Sequence, residues 1–290
     1  MCVTFLYLDD KMIDNPEGYQ LILLNNRDEF FDRPTTLAAW QDNILCGLDR
    51  KNDYGGTWLG IDKSGRIGNI LAVLENETDK TSRAPSRGKI VREYIKSNLS
   101  PEDYFMQQLS DEAQQYCGFN LFLLDRQHNK STGQKSYSGI YFSNRDNSSA
   151  VNFGTGIYGF GNSASYQKPF KKVTYGLELF KETLAMLHDE KFSDQELINR
   201  LLDILTDQTS HHPDEQLISQ KRQNEQYCKL MSQLFYELPD SVRYGTRSHT
   251  IVLIDGAGRC TYFERSRSQQ TPSSDVTWTD TTHCFDLENL

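Results

Sequence analysis

The chain has 290 residues, enough to bury a substantial core in one large domain or two small ones. Hydrophobic residues make up 37% and the formal net charge is -9. That charge argues against nucleic acid, whose phosphates demand clustered Lys and Arg.

The first residues read as a strand, Cys2 to Leu8, followed by Asp9 and Asp10. A secretory leader needs a basic start and a longer apolar run, and no segment reaches the roughly 20 apolar residues that cross a bilayer. The expectation is a cytoplasmic protein beginning close to residue 1, without a transmembrane segment. The six cysteines (Cys2, Cys46, Cys117, Cys228, Cys260 and Cys284) are scattered with no Cys-x-x-Cys pair, which predicts reduced thiols.

A turn at Asn15-Pro16-Glu17-Gly18 leads to a second apolar strand, Tyr19 to Asn25. Thr57 to Asp62 and Arg66 to Leu74 flank Lys63-Ser64-Gly65, a hairpin link with glycine where positive φ is needed. Helices are predicted at Lys89 to Asn98 and at Pro101 to Gln115, the latter capped by Ser100 with proline at its first position. Phe119 to Leu124 and Tyr137 to Phe142 return to strand, and 143 to 151 reads as a polar loop.

Ser193 with Glu196 forms a capping box ahead of Leu197, Leu201, Leu202 and Leu205, an apolar face at helical spacing. Residues 206 to 220 read as a polar loop, and a further helix covers Asn224 to Tyr236. The end is a hairpin, Thr250 to Ile254 and Arg259 to Glu264, turned by Asp255-Gly256-Ala257-Gly258; Ser266 to Asp275 is polar and reads as mobile. With no repeat and no long linker, residues 1-290 are expected to form one α+β domain.

Polar clusters sit at strand ends: Asn26-Arg27-Asp28-Glu29, Gly55-Gly56-Thr57-Trp58-Leu59-Gly60, and Tyr244-Gly245-Thr246-Arg247. Charged residues flush against core strands need partners or solvent. Trp40, Trp58, Phe30 and Phe31 lie near the first cluster, as pocket lining or as core. With Ser86-Arg87-Gly88, Gly118-Phe119-Asn120-Leu121, Gly161-Asn162 and Glu264-Arg265-Ser266, these strings resemble the transport and Golgi organisation protein 2 family, also called NRDE proteins. The ordered set covers nearly the whole chain.

The resemblance implies an N-terminal-nucleophile hydrolase fold, a four-layer αββα sandwich. It also implies candidate catalytic residues Cys2, Arg27, Asp28 and Asn162. Trimming of Met1 would leave Cys2 first, its free α-amine serving as base for its own thiol. Asp28 would orient that amine, Arg27 would fix Asp28 or bind a substrate carboxylate, and Asn162 would stand near the oxyanion. Two positions depart from related amidases. Asn25 stands where they have an arginine, and Ala72 stands where an asparagine is common, with Asn69 and Asn76 displaced; a missing oxyanion donor costs about 3 kcal/mol.

Three functions follow from the family. One is handling of haem or another hydrophobic metabolite, lipid or acyl-CoA, near mitochondria or the Golgi, with peripheral membrane association. The second is a Cys2 amidohydrolase that requires no cofactor or metal. The third is secretory organisation through protein partners. For haem, the candidate axial ligands are His128, His188, His211, His212, His249, His283 and the cysteines, none within a recognisable motif.

Overall fold

The computed structural model describes residues 1–51, 54–75, 84–146, 150–221, 224–268 and 276–289. Its strands form two antiparallel sheets. The first runs β10 (Gly156–Phe160), β1 (Val3–Leu8), β2 (Tyr19–Phe30), β11 (Tyr244–Asp255), β12 (Arg259–Arg267) and β13 (Trp278–Asp286). The second runs β3 (Ala39–Gln41), β4 (Ile44–Cys46), β5 (Leu59–Asp62), β6 (Ile67–Ala72), β7 (Phe119–Asn129), β8 (Gln134–Ser143) and β9 (Val151–Phe153).

Strand alternation explains how the layers assemble. On β2, Leu21 and Leu23 point between the sheets, while Ile22 and Leu24 point outward into the core built with α3 (Lys171–Asp189), α4 (Asp194–Leu205), α5 (Glu215–Lys221) and α6 (Glu225–Met231). A third core joins the second sheet to α1 (Gly88–Lys96) and α2 (Pro101–Tyr104). Both faces of each sheet are covered, giving the expected αββα order. Full burial of each leucine in these cores is worth about 1.5–3 kcal/mol.

Local signals read from the sequence have their physical counterparts. Gly65 takes φ of 88° in its hairpin, Ser100 accepts from Asp103 N–H, and Ser193 with Glu196 closes the capping box. None of the six cysteines is joined in a disulfide.

Several boundaries are corrected. Strand β2 does not end at Asn25 but carries Asn26-Arg27-Asp28-Glu29 within it, all four paired to β11 and Asn26 also to Val3 of β1. Polarity marked a strand end, but here the polar side chains are satisfied inside the fold. The segment 101–115 is a helix only to Tyr104, continues as a π-turn to Leu109, and closes with a 3₁₀ turn at Ala113–Gln115. The 206–220 loop contains most of α5, and the helix from Asn224 ends at Met231. Strands β3, β4, β9, β10 and β13 and helix α3 are additional elements. Ser266 and Arg267 belong to β12 and Ser268 follows it, while residues 269–275 of the expected mobile segment fall outside the described residues, as does Asn76.

Helix α3 carries Gly176 in its interior, which ordinarily weakens a helix by about 1 kcal/mol relative to alanine. Here a Cβ would collide with the ring of Phe5 on β1. Gly176→Ala is therefore expected to destabilise rather than stabilise, by a net of about 1–2 kcal/mol, read from the urea midpoint.

Candidate functional site

Strand β1 runs beside β2 and places Met1 in the outer, helix-covered core, while Cys2 packs against the core between the sheets. The Met1 ammonium is buried 2.6 Å from Asp28 Oδ2. It donates to Tyr236 Oη at 2.5 Å and to Tyr244 Oη at 3.4 Å. The Asp28 contact is an ion pair whose charge and hydrogen bond both favour the ammonium. Burial pushes the ammonium's pKa down, and Asp28 opposes that shift. Burial also raises both tyrosines, so both remain neutral hydroxyls.

The Cys2 thiol sits at the same junction. Its sulfur accepts from Asp28 N–H at 3.3 Å and lies 3.8 Å from Asp28 O. Burial raises the thiol pKa, the neighbouring ammonium lowers it, and the Asp28 charge raises it. With Met1 attached, the Cys2 nitrogen is a peptide amide and cannot accept a proton, so the thiol lacks an adjacent base.

Lys172 completes the cluster from the first turn of α3. Its buried Nζ donates to Met1 O at 3.1 Å and Gln233 O at 3.0 Å. Burial lowers its pKa to about 8, against the pull of Asp28. Sequence reasoning missed Lys172 and Tyr236. Lys172 sits in a short basic stretch with Lys168 and Lys171, which looks solvent-facing in the sequence. Once α3 is placed, its helical spacing to Gly176, Leu179 and Phe180 points it into the core. Tyr236 carries no comparable signal.

Arg27 corrects one expectation. Adjacent residues of a strand face opposite ways, and its guanidinium leaves Asp28 for Thr35 Oγ1 and Asp49 Oδ2, both at 3.2 Å. It lies 4.0 Å from the centre of the Trp58 ring. Its charge still acts on Cys2, pulling the thiol pKa down. Arg27, Arg247 and Arg267 line a narrow crevice of about 30 Å³ with Trp58, Leu37 and Ser248. Arg247 is the extra residue where β11 shifts register between Thr246 and Ser248, and it donates to Phe30 O and Arg33 O. Three arginines thus line a small space, with Arg27 already paired to Asp49 and Arg267 to Glu237 at 3.3 Å.

Asn162 is buried, but its Nδ2 donates to Ala72 O at 2.5 Å, and its Oδ1 has no partner among the described residues. That bond uses one of the two hydrogens on the amide nitrogen. Asn69 points between the sheets, accepting from Thr4 Oγ1 at 3.0 Å and donating to Trp58 O at 2.9 Å. Of the aromatics near the signature, Phe31 and Trp58 are buried, whereas Phe30 is exposed against Tyr244.

Among the described residues, no cluster of three or more His, Cys, Asp or Glu is arranged to hold a metal ion. His283 Nε2 faces Ala38 O, and His211 lies against Tyr175. His249 is buried with Nδ1 2.6 Å from Asn26 Oδ1. Burial holds its pKa down to about 3, aided by Arg265. The unfolded chain takes up this proton near pH 6.5 and the native state does not until about pH 3, so the stabilisation is full above pH 6.5 and lost as pH falls toward 3. The free energy of unfolding should therefore fall with acid more steeply than in His249→Asn, by up to about 1.4 kcal/mol per pH unit between pH 6 and 4.

The fold defines the class: an αββα sandwich of two antiparallel sheets between helical layers. The family model described as Transport and Golgi organisation 2 matches residues 1–269, and the chain belongs to that family. It is 31% identical over 294 residues to the mouse Transport and Golgi organization 2 homolog and 32% identical over 293 residues to the human one, each covering 100% of both chains. The Drosophila melanogaster protein is 30% identical over 300 residues, covering 100% of this chain and 99% of its own.

Among solved structures, a Caenorhabditis elegans N-acylethanolamine-hydrolyzing acid amidase ortholog has a TM-score of 0.38 at 11% identity, covering 87% of this chain and 92% of its own. A conjugated bile acid hydrolase from Clostridium perfringens, as its C2A mutant, has a TM-score of 0.41 at 8% identity, covering 99% and 97%. No helix among the described residues is long and apolar enough to cross a membrane.

Proposed function

We propose that this protein is a cysteine N-terminal-nucleophile hydrolase acting on an amide or ester that carries an anionic group. One observation carries the reading: the Cys2 sulfur and a buried terminal ammonium meet on Asp28, 3.3 Å from its N–H and 2.6 Å from its carboxylate. Removal of Met1 would turn the Cys2 peptide nitrogen into an amine next to that carboxylate. The amine accepts the thiol proton, and the thiolate adds to the substrate carbonyl. Collapse of the tetrahedral adduct expels the amine or alcohol, which takes the proton back and leaves a thioester on Cys2. Water then attacks that thioester, releasing the acid and restoring the thiol. The crevice lined by Arg27 and Arg247 gives the substrate's anion a seat, and the charge of Arg27 reaches the Cys2 thiol.

The test uses chain that begins at Cys2 and acyl amides with and without a carboxylate. Cys2→Ala should drop turnover to background, and Arg247→Met should raise KM with little change in kcat, the signature of lost uniform binding. Turnover unaffected by Cys2→Ala would rule the reading out.

A second reading is retention without turnover of a hydrophobic metabolite: haem, a lipid or an acyl-CoA. Supporting it is the engagement of Asn162 Nδ2 with Ala72 O, together with the exposed apolar side chains of Leu37 and Phe30 near the arginines. Each of these ligands joins an apolar body to carboxylate or phosphate groups. Haem titration followed by its absorption band distinguishes it: affinity retained in Cys2→Ala, with no product formed, favours binding over hydrolysis.

A further inference from the structure

A second cavity lies on the other side of the signature. It holds about 340 Å³ and is lined by Phe235, His249 and Trp278, with Thr206 and Gln208 on one wall and the Arg265–Asp280 pair on another. That volume suits a small molecule of one or two rings. The three rings pack together: Trp278 stacks on His249 at 26° with centroids 5.1 Å apart, and Phe235 lies 5.9 Å from His249. The opposing wall is stiff, because Arg265 and Asp280 form two parallel hydrogen bonds of 2.8 Å and neutralise one another.

The polar character of this cavity is set by Asn26, the first residue of the signature. Asn26 Nδ2 donates to Leu205 O at 2.8 Å and Leu234 O at 3.1 Å, which fixes the amide orientation and turns Oδ1 toward His249. An amide oxygen only accepts, so His249 Nδ1 must carry the hydrogen in their 2.6 Å contact. The neutral ring then has its lone pair at Nε2. His249 is 1% exposed and lines the cavity, and Nε2 has no hydrogen-bond partner among the described residues. An acceptor so placed, on an aromatic floor without net charge, asks for a flat ring that offers a donor.

We propose that the Phe235–His249–Trp278 cavity binds a planar aromatic ligand bearing a ring N–H or phenolic O–H, which donates to His249 Nε2. Recognition there is separate from Cys2 chemistry, and neither depends on the other. The asparagine of the signature is explained by it as well: an aspartate at position 26 could not donate to Leu205 O and Leu234 O while accepting from His249.

The probes are indole and N-methylindole, which differ in the donor while keeping the ring system. Titrations of the full chain are followed by calorimetry and by the ¹⁵N signal of His249 Nε2. Indole is expected to bind at least tenfold more tightly than N-methylindole and to move the Nε2 signal away from its free lone-pair position. His249→Phe, which keeps an aromatic floor, should abolish the preference. Equal binding of the two probes, no binding at millimolar concentration, or an unmoved Nε2 signal would each overturn the proposal. The comparison of probes on the native chain stands even if the variant fails to fold. Loss of Cys2 turnover leaves the titration unaffected, so failure of either site is distinguishable from failure of the other.

Discussion

Chain that keeps Met1 is expected to hydrolyse substrate at least about 100-fold more slowly than chain beginning at Cys2, because a general base is worth roughly 10²–10⁴ in rate. The physical reason is the identity of one nitrogen. With Met1 present, the amine beside Asp28 belongs to Met1 and the nitrogen attached to Cys2 Cα is an amide. Burial then raises the thiol pKa against the opposing pull of the terminal ammonium, the Asp28 N–H and Arg27, and no amine of its own is there to take the proton. Without Met1, the Cys2 amine inherits a place prepared by Asp28, Tyr236 and Tyr244. Two preparations, one released by a protease that leaves Cys2 first and one retaining Met1, suffice; intact mass verifies each terminus before rates are compared.

Removing the Asp28 carboxylate should be among the most destabilising single changes in the molecule. Asp28→Ala in the Met1-retaining chain is expected to cost about 3–5 kcal/mol, because it strands a buried ammonium without its anion. Lys172 makes matters worse, since its own charge already disfavours the ammonium. Glu29→Ala serves as the control. That neighbour meets Arg33 at 3.5 Å with both side chains partly exposed, and such pairs contribute about 0–1 kcal/mol. Urea denaturation of the two variants reads the contrast directly. Similar losses for both would mean that the buried pair carries no special weight.

How much of this was legible in the sequence depends on the range of the interaction. The Gly65 hairpin, the Ser100 cap and the Ser193–Glu196 box are set by residues within four positions of each other, and the pattern shows them. Strand β2 defeats the same approach, because its polar residues stay in the strand for reasons that lie elsewhere in the chain. Asn26 is satisfied by carbonyls 179 and 208 positions away. Helix α3 is obscured by Lys172 and Gly176, two residues that look out of place on a buried face. One reaches Met1 O across 171 positions and the other makes room for Phe5.

The site divides along the same line. Cys2 and Asp28 were nominated by resemblance, and the coordinates bring them together. Arg27 was nominated with them, but strand alternation turns it to the opposite face and into the arginine-lined crevice. Asn162 is buried and donates to Ala72 O. Tyr236 lies 235 positions from the amine it contacts, and no periodicity links them.

The account stands on Cys2 gaining its base when its own nitrogen becomes the terminal amine. Alkylation of Cys2 as a function of pH, followed by peptide mass mapping so that Cys117 and Cys284 are scored separately, tests this on the protein itself. Chain beginning at Cys2 should react at neutral pH, whereas chain retaining Met1 should react at Cys2 only in strongly alkaline solution. Superimposable profiles for the two forms would contradict it.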